Sequence, residues 1–168
     1  LLMIGNGVQG TLLAIRGSLE GFTPDTMSYL MSAYMVGMLV GSQVAPILIT
    51  NVGHVRVFAA LASLISASFL GFALFVDPLA WFVLRLFVGF CFSGVYVASE
   101  SWLNEAASNS NRGKTMSIYM IVQMLGILLA QVLINFGDPT SFIPFAIISV
   151  LVSISFAPIL LSVGRVPV

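Results

Sequence analysis

The sequence predicts an all-α integral membrane protein with six transmembrane helices. Hydrophobic residues make up 59% of its 168 residues and charged residues only 7%, whereas globular domains average about 45–50% and about 25%. Six apolar segments follow one another, separated by short polar connections. Lys and Arg gather on alternate connections, which is the pattern of a chain that crosses a bilayer repeatedly.

The spacing of polar residues sets the expected bounds of these spans. They are residues 1–18, 24–50, 57–76, 79–102, 115–136 and 142–163. About 20 apolar residues are needed to span a bilayer, and fewer than that precede Arg16. We therefore expect an N-terminal piece to precede Leu1.

Several function classes fit the composition poorly. The net charge is zero, so the chain lacks the basic footprint of a nucleic-acid-binding protein. Its single cysteine, Cys91, allows neither an internal disulfide nor a cysteine metal site, and no motif for a metal, phosphate or nucleotide cofactor is present. The one histidine, His54, lies in a polar connection, far from any serine inside a span. An enzyme is therefore not expected.

The first segment is unusually polar for a spanning helix. Asn6 and Gln9 lie between glycines in an otherwise apolar run. Polar groups in hydrocarbon face either a partner helix or a water-filled cavity, and both interpretations remain open here. Arg16 and Glu20 are four residues apart and can pair on one helix face.

The second segment carries two signals of close helix packing. It begins at Thr23-Pro24, a capping residue followed by proline in the first helical position. Gly37 and Gly41 form a small-xxx-small pair, which suits a tight crossing. A methionine stripe on this segment serves either as adaptable packing or as a surface that slides between two states; it comprises Met27, Met31, Met35 and Met38.

The fourth segment carries ionisable residues inside the predicted span. Arg85, Tyr96 and Glu100 fall on one stripe with Gly89 and Phe92. A charge in the bilayer is costly, so this stripe should face protein or water. Arg85 and Glu100 are about 22 Å apart along the helix axis, too far to pair with each other.

Two tryptophans of the fourth segment predict its membrane depth. Trp81 and Trp102 are separated by about 31 Å of helix, close to the hydrocarbon thickness of about 30 Å. We expect them to anchor opposite interfaces.

The remaining segments differ in polarity. The third and sixth, residues 57–76 and 142–163, contain no charge and are expected to be peripheral and lipid-facing. The fifth places Tyr119 and Gln123 on one face.

Four short motifs resemble the major facilitator superfamily of transporters. The connection Gly53-His54-Val55-Arg56-Val57-Phe58 is similar to the loop between helices 2 and 3 of its YcaD-like bacterial subgroup, although Pro46 and Thr50 stand where the family has glycine and aspartate. The other three motifs are Arg85-x3-Gly89-x4-Gly94, Glu100-Ser101-Trp102-Leu103-Asn104-Glu105 and Asn111-Arg112-Gly113-Lys114. The family's antiporter signature in helix 5 is absent, which argues against a drug antiporter.

The resemblance implies that this chain is the N-terminal half of a transporter, built as a 3+3 inverted repeat. It implies secondary active transport of a small solute by alternating access, in a bilayer and with a C-terminal six-helix half, and it leaves proton coupling open. The candidate residues for a substrate or proton pathway are Asn6, Gln9, Arg16, Arg85, Tyr96, Glu100, Tyr119 and Gln123. Gly53, His54 and Arg56 are the expected conformational-gating loop, and Gly37, Gly41, Gly89 and Gly94 the expected packing glycines.

Three expectations remain: the orientation of the chain in the membrane, the role of Glu100 and an alternative function. Arg56, Arg112, Lys114 and Arg165 lie on one predicted side, which puts both chain ends in the cytoplasm. The resemblance to the YcaD-like bacterial subgroup implies that the membrane is a bacterial inner membrane. Glu100 either binds a proton or cation or pairs with a basic residue of the next connection. A six-helix channel or assembly subunit is the alternative function, favoured if the first, fourth and fifth segments form a continuous pore.

Overall fold

The described part of the chain folds into a bundle of six α-helices. The computed structural model describes residues 1–135 and 137–162, and every regular element within those ranges is helical. The helices are α1 (Leu2–Leu19), α2 (Pro24–Val52), α3 (His54–Leu74), α4 (Pro78–Ala106), α5 (Arg112–Ile134) and α6 (Ile143–Ser162). Arg165 of the expected cytoplasmic tail lies outside the described residues, as do Phe136 and Val163 at the ends of two expected spans.

Four of the six helices are long and apolar enough to cross a membrane. They are α2, α3, α4 and α5. α1 falls outside this set because of its glycines and side-chain amides, and the apolar part of α6, Ile143–Pro158, is shorter. The helical architecture expected from the sequence is present, and length and composition support a membrane crossing for these four.

Local sequence signals explain where the helices begin. The Thr23 side chain accepts a hydrogen bond from the Thr26 amide at 3.3 Å, and Pro24 occupies the first turn of α2. The Asp77 carboxylate accepts from the amides of Leu79 and Ala80, both at 3.0 Å, at the start of α4. Both caps satisfy amides that have no partner within the helix.

The connection between α2 and α3 is a single residue. Gly53 has a φ of +87°, a backbone conformation that favours glycine, and helix runs up to it on both sides. His54 and Arg56 therefore lie in the first turn of α3. The sequence predicted a longer polar connection here because Asn51 and the basic residues look like loop residues.

Helix packing follows one pattern in both halves of the chain. α2 packs most extensively on α4, α3 packs on α4 and on α6, and α1 packs on α5 and less closely on α6. The two halves can be compared by matching α1 with α4, α2 with α5 and α3 with α6. The packed pair α2–α4 then corresponds to the packed pair α5–α1, and the packed pair α3–α4 corresponds to α6–α1.

Glycines permit the close crossing of α2 and α4. A Cβ added at Gly37 would collide with the Leu86 carbonyl, and one added at Gly89 would collide with the Tyr34 carbonyl. Gly41 lies against the backbone of Phe90 in the same seam. The two backbones meet here because no side chain stands between them.

One face of α3 is buried in protein, whereas the sequence predicted a lipid-facing helix; Leu64 and Leu74 of α3 remain exposed. Ile65, Phe69 and Phe72 of α3 are fully buried, and α3 lies between α4 and α6. The Ser66 hydroxyl is within 2.8 Å of the hydroxyls of Ser149 and Ser153 on α6. A helix without charge suits a protein interior as well as lipid, so its composition could not distinguish the two.

The interfacial position expected for Trp81 is wrong. Its side chain is fully buried, and its indole N–H donates to the Phe72 carbonyl at 3.1 Å. The rings of Phe22 and Phe72 pack edge-on against it, with centroids 5.1 and 5.9 Å away. Trp102 is partly exposed, and its anchoring at the opposite interface stays a prediction.

Candidate functional site

Arg85 joins three helices in the interior of the bundle. Its Nη1 donates to Gln9 Oε1 on α1 at 3.3 Å, and its Nε donates to the Leu30 carbonyl on α2 at 3.3 Å. Its Nη2 lies 2.9 Å from the sulfur of Met31, and the guanidinium carbon lies 4.7 Å from the centroid of the Tyr34 ring. All of these groups are neutral, and none of the ion pairs among the described residues includes Arg85.

The network continues from Arg85 along α1 to α4. Gln9 Nε2 donates to Asn6 Oδ1 at 2.7 Å, and the Tyr34 hydroxyl donates to the same oxygen at 3.0 Å. Asn6 Nδ2 donates to the Tyr96 hydroxyl at 2.7 Å. We call these five side chains the polar network: Asn6, Gln9, Tyr34, Arg85 and Tyr96.

The polar network bridges helices whose backbones do not pack closely. α1 and α4 are not among the closely packed helix pairs, although side chains of both meet in the network. Gln9, Tyr34 and Arg85 are buried, whereas Asn6 and Tyr96 are only half-buried. The network therefore has an enclosed end at Arg85 and an accessible end at Asn6 and Tyr96.

Glu100 lies beyond the accessible end of the network. It follows Tyr96 by one helical turn on α4, and its side chain is exposed. The ion pairs recorded among the described residues are Arg16–Glu20 and His54–Glu105. Neither Arg112 nor Lys114 is therefore paired with Glu100 in this part of the chain.

Tyr119 and Gln123 carry polar atoms without partners. The Tyr119 hydroxyl and Gln123 Nε2 are buried atoms, and neither has a hydrogen-bond partner among the described residues. They lie one helical turn apart on one face of α5. Buried polar atoms without a protein partner commonly bind water or a ligand.

Arg16 lies away from the polar network, at the end of α1. Its Nη2 is 2.6 Å from Glu20 Oε1, and its Nη1 donates to the carbonyls of Pro139 and Thr140 in the α5–α6 connection. In that connection, hydrogen bonds from the Thr140 hydroxyl and amide hold the pKa of Asp138 below its usual value. Arg16 thus ties α1 to the α5–α6 connection.

The expected gating loop contacts the end of α4. His54 Nε2 lies 2.9 Å from the Ser101 hydroxyl and 3.5 Å from Glu105 Oε1. Arg56 is exposed. The contact joins the first residue of α3 to the last turns of α4.

Sequence reasoning missed two members of the Arg85 environment. Tyr34 was not singled out, and Met31 was noted only as part of a stripe. A tyrosine on α2 near the level of Arg85 was the available signal, but its partner helix could not be read from one sequence. A cavity of about 380 Å³ between α1, α5 and α6 has a mostly apolar lining that contains none of the candidate residues.

The chain is similar to known membrane transporters over most of its length. The family model described as Major Facilitator Superfamily matches residues 1–167. The MFS-type transporter YcaD of Escherichia fergusonii is 27% identical over 135 residues, which is 80% of this chain and 35% of that protein. YcaD proteins of Escherichia coli O45:K1 and O81 are each 26% identical over 135 residues, with the same shares covered. No solved structure matches the chain, which spans about a third of the length of these curated relatives.

Proposed function

The chain belongs to the Major Facilitator Superfamily, and on that premise we propose that it is one half of a secondary transporter, which moves a small solute by alternating access. The observation that carries this proposal is the polar network between α1 and α4. In a bundle whose buried side chains are mostly apolar, these hydrogen-bonding groups gather where two helices stand apart. Transporter binding sites are built from such polar groups near the middle of the membrane.

In the proposed arrangement all six helices cross the membrane, and both chain ends face the cytoplasm of a bacterial cell. The basic residues Arg56, Arg112 and Lys114 then share the cytoplasmic side. The helix pairing supports a 3+3 inverted repeat, because the packed pairs α2–α4 and α3–α4 correspond to the packed pairs α5–α1 and α6–α1 when α1–α3 are exchanged with α4–α6.

A second six-helix half is part of this proposal. α2 and α5 expose broad apolar faces that include Leu39, Val40, Ile121 and Leu125. Lipid can cover part of these faces, and the remainder is available to a second half. The curated relatives, which are about three times as long as the matched region, have room for such a half.

Proton coupling through Glu100 is the finer part of the proposal. Glu100 is an exposed carboxylate beside the accessible end of the polar network, and it has no recorded ion pair with the described residues. A carboxylate in this position can take up and release a proton as its access to water changes.

A Glu100→Gln variant of the full-length transporter tests this coupling. Glutamine keeps the shape and hydrogen bonding of the side chain but cannot titrate. Equilibrium exchange of solute across the membrane should continue, whereas accumulation driven by a pH gradient should be lost. Accumulation that persists in this variant would rule out Glu100 as the proton carrier.

Labelling of a single cysteine tests alternating access itself. In full-length protein without other cysteines, including Cys91→Ser, a cysteine at Gln123 should react with impermeant reagents applied from either side of the membrane. Locking the cytoplasmic side closed with a cross-link should abolish labelling from that side only. Access from both sides at once, together with ion conductance, would instead support the six-helix channel.

A further inference from the structure

A cavity lies behind the gap between α5 and α6. These two helices follow each other in the chain but are not among the closely packed pairs of the described helices, whereas α1 packs on both. The cavity has a volume of about 380 Å³, and its walls come from α1, α5, α6 and the α5–α6 connection. This volume falls within the range of small-molecule sites, about 300–1,000 Å³.

α1 meets its neighbours at both ends of this cavity. At one end Gly5 lies so close to α6 that an added Cβ would collide with a valine side chain of that helix. At the other end Arg16 is fastened to the α5–α6 connection. Along this stretch α1 lines the cavity with one face, which comprises Ile4, Val8 and Leu12. The lined stretch is about 12 Å long.

The cavity opens between α5 and α6, on the outer surface of the described bundle. Its inner wall on α1 is buried, since Val8 is 5% and Leu12 2% exposed. Its outer residues on α5 and α6 are apolar and exposed, and they include Leu133, Ile143 and Ile147. An apolar space with such an opening favours an apolar occupant that enters from the side.

One end of the cavity is polar and negatively charged. Asp138 and Ser141 of the α5–α6 connection line it there. Asp138 Oδ1 accepts from the Thr140 hydroxyl at 2.7 Å and from the Thr140 amide at 2.9 Å. These bonds hold the pKa of Asp138 below its usual value, so the carboxylate is ionised at neutral pH. Arg16 is already paired with Glu20 at 2.6 Å, and one negative charge therefore remains in excess.

We propose that this cavity holds one acyl chain of a membrane lipid whose headgroup carries an ammonium group. The chain lies against α1, and the ammonium lies beside Asp138, whose charge it complements. The Ser141 hydroxyl, at the same end, is able to donate to an oxygen of the headgroup. The inference uses the bilayer location proposed above and is independent of how the solute moves.

Photo-crosslinking of the full-length protein in nanodiscs tests the site. The probe is phosphatidylethanolamine with a diazirine in the middle of one acyl chain, and mass spectrometry identifies the modified residues. Val8 should be modified, because an inserted chain passes along the inner wall, which lipid on the bundle surface does not reach. Modification confined to the outer faces of α5 and α6 would overturn the proposal.

A matched pair of variants tests the entry between α5 and α6. Ile147 and Ile154 lie on α6 and are both 51% exposed, but only Ile147 lines the cavity. Ile147→Trp puts a larger side chain at the opening and should cause loss of Val8 modification. Ile154→Trp should leave it unchanged. Surface modification of α5 shows that each variant is folded in the nanodisc, and equal modification of Val8 in both variants would overturn the entry route.

The headgroup is tested by replacing the charge at the polar end. Asp138→Asn keeps an acceptor for Thr140 but loses the charge. The preference for phosphatidylethanolamine over phosphatidylglycerol with the same chain should fall about two- to fivefold, as for an exposed ion pair. Asp25→Asn removes an exposed carboxylate from the first turn of α2 and should leave this preference unchanged. An unchanged preference in Asp138→Asn would overturn the lipid class.

This result and the transport result are separable. Modification of Val8 by the lipid supports the site even if the cysteine at Gln123 is never reached from both sides. If labelling of that cysteine alternates but Val8 stays unmodified, the lipid site alone is wrong.

Discussion

The guanidinium of Arg85 lies over the ring of Tyr34, with 4.7 Å between Cζ and the ring centroid. This contact predicts a graded response to substitution. Tyr34→Phe keeps the ring and loses the hydrogen bond to Asn6, so it should destabilise the full-length protein by about 1 kcal/mol. Tyr34→Leu also removes the ring and should cost up to about 2 kcal/mol more. Equilibrium unfolding in detergent measures both, and equal effects would contradict a contribution from the ring.

The glycine seam between α2 and α4 predicts a contrast between two similar substitutions. A Cβ at Gly37 collides with the Leu86 carbonyl, whereas a Cβ at Gly10 of α1 meets nothing within 4 Å. Gly37→Ala should therefore destabilise by about 1–3 kcal/mol. Gly10→Ala should be neutral or slightly stabilising, because alanine favours helix by up to about 1 kcal/mol. Similar Tm values for the two variants would mean that the helices do not cross at Gly37.

The six-span topology predicts opposite labelling of two connections. Single cysteines at Asn109, between α4 and α5, and at Asp138, between α5 and α6, should react with impermeant reagents from opposite sides of the membrane. Each position lies at an end of α5, a helix long and apolar enough to cross. Reaction of both from the same side would exclude a membrane crossing by α5.

Arg56 is predicted to act on the balance between conformations. It is exposed in the first turn of α3, close in sequence to His54, which contacts Ser101 at the end of α4. In the full-length protein Arg56→Ala should impair transport by shifting the populations of outward-open and inward-open states, with substrate affinity in each state unchanged. Cysteine accessibility gives the populations, and Arg112→Ala serves as a control that removes another exposed cation. A loss of affinity at constant populations would count against this role.

The sequence was informative wherever a local rule fixes the structure. Thr23-Pro24 and Asp77-Pro78 cap helices through side-chain and backbone groups a few residues apart, so one sequence suffices to find them. The paired glycines indicated a close crossing for the same reason, although not which helix they meet. Local patterns also placed Tyr96 and Glu100 on one stripe.

Burial against a distant helix could not be predicted in this way. Trp81 at a helix end looks like an interface anchor until Phe22 and Phe72 are found around it. The buried face of α3 could not be recognised from composition, because lipid and a protein core are both apolar. Arg85 was expected to need a partner on another helix, but its partners are a carbonyl, an amide, a thioether and an aromatic ring. Such neutral partners leave no charge pattern in the sequence.

The contacts of Arg16 and His54 have a mechanical consequence. Arg16 ties the end of α1 to the α5–α6 connection, and His54 ties the start of α3 to the end of α4. When α1–α3 are matched with α4–α6, the Arg16 contact corresponds in position to the His54 contact, which lies at the opposite end of the bundle. Contacts at both ends of the bundle therefore hold these helices against separation at either end.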